Sequence, residues 1–290
     1  MSESRFNLAV VILICLACSI AYVNTLDGEW VWDDASSVLL HKHVQEPGKI
    51  MQLFREDQHA FGRGQGNFYR PLVSVSFMVD YLLSGGPKPG EYNESMLPEV
   101  SPFLFHISNM FWHLCAAIAL LLLLHTTGAP RFVKALVPLL FVLHPLHTEA
   151  VAYISGRADM MSAIGIFTAL CFAVKAMRLE WPLLGTIGAC VFFILGLLSK
   201  ESTLIYPVLL GVVFLTAFKR RENLNEQEDK EPPYLRYAPL LSAVLILGLY
   251  MLLRATVLRF AEGQASVVST LSQRIFETFQ SLGLYAQMLF

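Results

Sequence analysis

Charge is what this chain has least of. Of its 290 residues only 15% are Asp, Glu, Lys or Arg, whereas 55% are hydrophobic, and the mean hydropathy is +0.53. A soluble domain carries about a quarter charged residues, so the composition argues for a membrane protein and against a soluble enzyme, a disordered tail or a nucleic-acid binder. The formal net charge of −2 calls for no strongly charged partner. Cysteine is also scarce, and Cys15, Cys18, Cys115, Cys171 and Cys190 all lie in apolar runs. Redox and metal sites need thiolates in polar surroundings, so Cys15 and Cys18 form a C-x-x-C by spacing alone and no disulfide framework is expected. No internal repeat of about 20 to 50 residues, the signature of a solenoid or array, is visible.

Apolar runs, by contrast, are long and numerous. A bilayer-spanning helix needs about 20 predominantly apolar residues, and candidate spans lie at 6–24, 103–125, 134–147, 161–177, 182–198, 203–218 and 237–253, with an eighth starting near Ile275. The first run follows Arg5 and leads into Thr25-Leu26-Asp27-Gly28-Glu29, which is no small-residue cleavage site, so it reads as a retained helix rather than a signal peptide. The expected fold is an all-α polytopic helical bundle of about eight spans over 1–290. Because the chain stops inside an apolar run, it reads as the N-terminal part of a longer domain.

Basic residues in short loops mark the cytosolic side. An N-terminus in the cytosol places Arg131 and Lys134, Lys175 and Arg178, and Lys219-Arg220-Arg221 there. The long segment 26–102 then lies outside. Within it, 69–83 is apolar but too short to span, with Asp80 inside and Pro71 suited to a first helical turn, so an interfacial helix is expected. Asn93-Glu94-Ser95 is an N-glycosylation acceptor pattern. The stretch 219–236, basic then acidic and ending in Pro232-Pro233, reads as a solvated cytosolic linker.

Ionisable groups beside a bilayer persist where they are paired, hydrated or functional. Here they gather at helix ends on the outer side. Asp33 and Asp34 follow helix 1; His106, Asn109 and His113 share one face of helix 2; His144, His147 and Glu149 end helix 3, followed by Arg157 and Asp159; Lys200 and Glu201 end helix 5. Each has a plain structural alternative: a cap for either aspartate, interhelical hydrogen bonds for His106, Asn109 and His113, local ion pairs for Arg157 with Asp159 and Lys200 with Glu201. His144, His147 and Glu149 also have the residue types of a metal site, and metal dependence is left open. Taken together the groups suit group transfer: paired carboxylates separate their proton affinities, so one can act as a base, and cations at the membrane rim suit a lipid phosphate.

Val31-Trp32-Asp33-Asp34, Tyr69-Arg70-Pro71-Leu72, Phe105-His106 with Asn109 and His113, His144-Pro145-Leu146-His147-Thr148-Glu149-Ala150-Val151, Gly156-Arg157-Ala158-Asp159 and Leu198-Ser199-Lys200-Glu201 occur in this order in the transmembrane and TPR repeat-containing O-mannosyltransferases and their bacterial relatives. The chain resembles that family from Trp30 to Pro207, and more broadly the GT-C glycosyltransferases. No TPR array follows. The resemblance implies a GT-C-like membrane domain with a cytosolic N-terminus and a luminal or periplasmic active site. The membrane would be that of the endoplasmic reticulum in a eukaryote, or the inner or plasma membrane in a bacterium. It implies a dolichyl- or polyprenyl-phosphate mannose donor, a protein Ser/Thr acceptor, and a catalytic aspartate at Asp33 with Asp34 beside it. Charge and position add Arg157, Lys200 and Arg70 as donor-phosphate contacts. His106, His113, His144, His147, Glu149, Asp159 and Glu201 complete the polar site. The expected reaction is an inverting transfer in which Asp33 deprotonates the acceptor and no cofactor beyond the lipid-linked donor is required. The rival reading is a transporter or flippase of a lipid-linked or anionic substrate, which would place charges near the bilayer midplane between inverted repeats.

Overall fold

The computed structural model describes residues 2–62, 67–93, 96–222, 232–258 and 271–288. They fall into two compact units, Met1–Phe260 and Ala261–Phe290. Among the described residues the structure is helical, with no strand.

In the first unit α1 (Glu3–Tyr22) starts where the Ser2 side chain accepts a hydrogen bond from the Arg5 N–H, and it buries the i, i+4 stripe Val10, Ile14, Cys18, Tyr22. That stripe packs against α3 (Phe103–Thr126) and α4 (Arg131–Leu143) around Ala117, Leu121 and Val142. Pro71 opens α2 (Pro71–Leu83) at its first turn, where a missing N–H is harmless. A break at His144-Pro145 bends the chain by 50° between α4 and the following turn, because Pro145 offers no N–H to continue the helix. After the short α5 (Thr148–Ala152) come α6 (Arg157–Met177), α7 (Pro182–Leu197), α8 (Tyr206–Glu222) and α9 (Ala238–Thr256). α6 and α7 share the most extensive interface. A methyl added at Gly165 of α6 would sit 2.7 Å from the Cα of Gly196 in α7, so the two backbones touch, the small-residue packing used where helices associate in lipid.

Among the described residues four helices are long and apolar enough to cross a membrane: Glu3–Asp27, Phe103–Thr126, Ile154–Met177 and Tyr234–Thr256; the bent pair of Arg131–Leu143 with Pro145–Ala152 makes a fifth if counted as one span. Among those residues fewer helices therefore reach full length than the eight expected. Pro182–Leu197 and Glu201–Leu215 are apolar but short; 16 residues of helix rise about 24 Å against a hydrocarbon core of about 30 Å. The eighth expected span is a helix, α10 (Leu271–Met288), in the second unit. It is not among the candidates for crossing, since Arg274, Glu277 and five glutamines or serines interrupt its apolar residues.

The segment expected to lie at the interface is a helix, α2, that packs one face on the bundle and leaves Val79 and Leu83 exposed. Val73, Phe77 and Tyr81 of α2 are fully buried with Phe105 of α3 and Ile154 before α6. At the opposite end of the unit Glu3 pairs with Arg131 and Lys134, and Arg178 donates to the Thr126 carbonyl. The few charges are thus sorted to two ends, and one of them holds all the candidate site residues. Asn93 is exposed; Glu94 and Ser95 of its acceptor pattern, and 223–231 of the expected linker, lie outside the described residues.

Candidate active site

The acidic turn that follows α1 separates its two carboxylates. Asp34 is fully buried. One of its oxygens accepts from the backbone N–H and the hydroxyl of Ser155, both at 2.8 Å, and the other accepts from the Val31 N–H at 3.2 Å. Burial holds its carboxyl above the ordinary range, against the pull of these donors. Asp33, next to it, is exposed, while its carbonyl is held by the Ser37 N–H at 2.8 Å and the Ser36 hydroxyl at 2.9 Å. The preceding Trp32 lies in the left-handed region at φ 47°, strained for a bulky residue, with its ring edge-on to Tyr153 at 5.8 Å. The turn is therefore pinned through its backbone and through Asp34, and presents one carboxylate outward.

Arg157 does not stand where a phosphate contact was expected. Its side chain is 0% exposed, and Nη2 lies 2.6 Å from Asp80 in α2. Nε donates to Asn109 at 2.8 Å, Nη1 to Ser76 at 3.1 Å and Nη2 to the Phe105 carbonyl at 3.1 Å, with the Phe77 ring beneath. Every guanidinium nitrogen is engaged inside the protein, so Arg157 ties α2, α3 and α6 together.

The other two cations sit nearer the surface. Lys200 bridges both oxygens of Asp159 at 2.6 Å, and Arg70 meets Glu201 at 3.1 Å. Between α2, α3, α6 and α7 lies a cavity of about 540 Å³, lined by apolar residues such as Leu72, Val79, Phe111 and Ile164, with Asp80 and Ser199 among its few polar ones. Leu72 and Ser199 of the lining are close along the chain to Arg70 and Lys200, which do not themselves line it. Its lining comes from the halves of α3, α6 and α7 nearest Asp33, and a Leu72 N–H to Leu198 carbonyl bond of 3.3 Å joins α2 to the end of α7.

The histidines have mixed fates. His106, Asn109 and His113 share one buried face, as their spacing predicts. Asn109 spends its amide on the carbonyls of Val151, Tyr153 and Ile154. His113 stacks on Phe141, with His147 5.5 Å away, and His106 abuts Gly28, where an added methyl would come within 2.8 Å of Nε2. His144 and Glu149 are exposed. Among the described residues no group of three His, Cys, Asp or Glu is arranged to hold a metal, so His144, His147 and Glu149 do not converge as ligands.

Three residues at this end were not singled out by sequence as site members: Ser155, Asp80 and His59. Asp80 carried a signal, a carboxylate within an apolar stretch, which implies a buried partner. His59 carried none. It is nearly buried, its Nδ1 lies 2.8 Å from the Ser36 hydroxyl, and burial lowers its basicity while the nearby Asp33 opposes this.

Fold and site together define a polytopic helical membrane protein with an exposed carboxylate on a fixed turn and an apolar cavity between α2, α3, α6 and α7. No family model matches the chain, and no solved structure matches it. Curated proteins do. The chain is 29% identical over 215 residues, 72% of its length, to Protein O-mannosyl-transferase Tmtc1 of Drosophila melanogaster, and 27% identical over 208 residues, 69% of its length, to Protein O-mannosyl-transferase TMTC3 of Homo sapiens. It is 30% identical over 188 residues, 57% of its length, to TMTC4 of Mus musculus. The resemblance carried by the motifs is thus to proteins bearing that family's name. The chain covers only 23%, 21% and 23% of these three relatives, about a quarter of their length or less.

Proposed function

We propose that this chain forms the acidic turn and donor-binding part of a membrane glycosyltransferase that moves mannose from dolichyl- or polyprenyl-phosphate to Ser/Thr hydroxyls of a protein, with inversion. The observation that carries this reading is Asp33, the one exposed carboxylate of the pair, on a pinned turn at the same end of the bundle as a cavity suited to a lipid chain. Apolar walls suit an isoprenoid tail, and Arg70 and Lys200, close along the chain to Leu72 and Ser199 of the lining, suit its phosphate. The names of the curated relatives supply mannose and the protein acceptor.

In this scheme Asp33 takes the proton of the acceptor hydroxyl as that oxygen bonds to the anomeric carbon of the sugar. The bond from that carbon to the phosphate oxygen breaks on the opposite face, and its electron pair leaves with the lipid phosphate. The charge gained there is met by Arg70 and Lys200, which exchange their carboxylate partners for it. Asp34 stays buried and holds the turn. The donor and the turn would face the lumen of the endoplasmic reticulum, or the periplasm in a bacterium.

The test is transfer of labelled sugar from polyprenyl-phosphate donors to Ser/Thr peptides by the purified full-length protein. Asp33→Asn is expected to abolish product while the protein still binds the lipid donor. Turnover near the unsubstituted level in that variant would overturn the assignment of Asp33.

A further inference from the structure

Hydrogen-bond polarity around the acidic turn singles out His59. Each serine hydroxyl there has one proton to give. Ser155 gives its proton to the Asp34 carboxylate at 2.8 Å, the strongest acceptor within reach. The Ser155 hydroxyl also points at Ser37, as donor at 3.3 Å. Ser37 accepts from Gln58 Nε2 at 3.3 Å as well, and its hydroxyl lies 3.3 Å from His59 Nδ1. On the other branch Ser36 donates to the Asp33 carbonyl at 2.9 Å and so accepts from His59 Nδ1 at 2.8 Å. The Ser36 branch, the shorter of the two contacts to the ring, puts the proton on Nδ1. The imidazole is held from behind as well: its own backbone N–H donates to Asp57 at 2.7 Å, and the Phe68 ring meets it edge-on at 5.5 Å.

We propose that His59 is a positioning residue for the acidic turn. Its Nδ1–H, given to Ser36, fixes the Asp33 carbonyl through that serine, and its ring lies against Ser37, which Ser155 links to the buried Asp34. The proposal rests on Asp33 being the base, and it gives that base a fixed direction from a residue 26 positions away. A misplacement of about 1 Å can cost on the order of 10²-fold in rate, which sets the scale of the expected effect.

Two measurements on the full-length protein test this. Nitrogen-15 NMR of histidine-labelled protein, with the His59 signal assigned by its loss in His59→Asn, is expected to show Nδ1 as the protonated ring nitrogen of the neutral side chain. A neutral ring protonated at Nε2 would overturn the proposal, whether or not the protein transfers sugar. In the transfer assay His59→Leu is expected to lower kcat by about 10²-fold with donor KM unchanged. His59→Asn, whose amide N–H stands near the place of Nδ1–H, is expected to recover most of that loss, whereas His59→Gln, which reaches the place of Nε2, is not. Equal losses in folded Leu, Asn and Gln variants, or a change confined to KM, would overturn it. An unsubstituted protein that transfers no sugar would instead sink the transferase reading and leave the tautomer result to decide the role of His59 in the turn.

Discussion

Replacing Asp80 with Asn should destabilise the bundle by about 3–5 kcal/mol, the range for removing one partner of a buried ion pair. The structure places the pair at the severe end of that situation. Arg157 is 0% exposed and Asp80 9%, with Nη2 and Oδ2 2.6 Å apart. Asp80→Asn keeps the shape and removes only the countercharge, leaving a cation among the neutral dipoles of Asn109, Ser76 and the Phe105 carbonyl. Arg157→Met should cost a similar amount, because it strands Asp80 and those three acceptors at once. The double variant Asp80→Leu/Arg157→Met leaves no uncompensated charge and should be more stable than either single variant. The coupling in that cycle is expected to reach about 2–3 kcal/mol. Reversible unfolding in mixed micelles, followed by circular dichroism, measures all four proteins. Additive losses, or single losses below about 1 kcal/mol, would refute the reasoning, show that Arg157 is not locked to Asp80 and return it to the pool of cations that can meet a phosphate.

Other expectations follow from neighbouring features. Lys200→Ala and Arg70→Ala should each raise the donor KM about 10- to 100-fold, the worth of a hydrogen bond to a charged group, while Lys200→Ala shifts stability by less than about 1 kcal/mol because its pair with Asp159 is partly exposed; unchanged donor dependence in both would move the phosphate site elsewhere. Gly165→Val should destabilise by about 1–3 kcal/mol, since its first carbon meets backbone of α7 at 2.7 Å, whereas Gly211→Ala, with nothing within 4 Å, should stay within about 0.5 kcal/mol; equal effects in thermal melts would contradict the close crossing. Burial, with His43 adding to it, pushes His41 down from 6.5 to about 4. The unfolded chain therefore takes up this proton first, so the stability due to neutral His41 is complete above pH 6.5 and is lost as pH falls towards 4, by on the order of 3 kcal/mol. Glu56, 3.7 Å from His41 Nε2, and the buried His59 are shifted as well, so melts of His41→Gln against pH isolate its share, and an unchanged acid limb in that variant would refute it.

Much of this end of the molecule is legible in the sequence because its motifs mark helix ends. The i, i+3, i+7 spacing of His106, Asn109 and His113 predicts a common face, and all three are buried on it. Lys200 is 26% exposed and Arg70 only 13%, and each is paired with a carboxylate on another element. Span counting is less direct. Apolar runs show that segments avoid water, yet a run cannot tell a full crossing from a short helix such as Pro182–Leu197, whose apolar side chains serve a close contact with α6.

What sequence could not give is which charge faces which. Arg157 reads as a rim cation because Gly156-Arg157-Ala158-Asp159 opens a helix with two charges, and its neighbour Asp159 is indeed exposed. Its true partner comes from α2, 77 positions earlier, and only the packing of Phe77 and Phe105 brings the two within 2.6 Å. The aspartate pair shows the same rule from the other side. Two adjacent, chemically identical residues look interchangeable on paper, and adjacency suggests that they share a proton. The turn that Trp32 permits by adopting φ 47° sends one carboxylate to Ser155 and the other to solvent, so they divide between anchoring and availability. A residue's chemistry can be read from its type, but its freedom to act depends on whether the fold has already supplied it with a partner. By that criterion Asp33 is available, Asp34 and Arg157 are committed, and Arg70 and Lys200 hold partners that, in the proposed scheme, an incoming phosphate displaces.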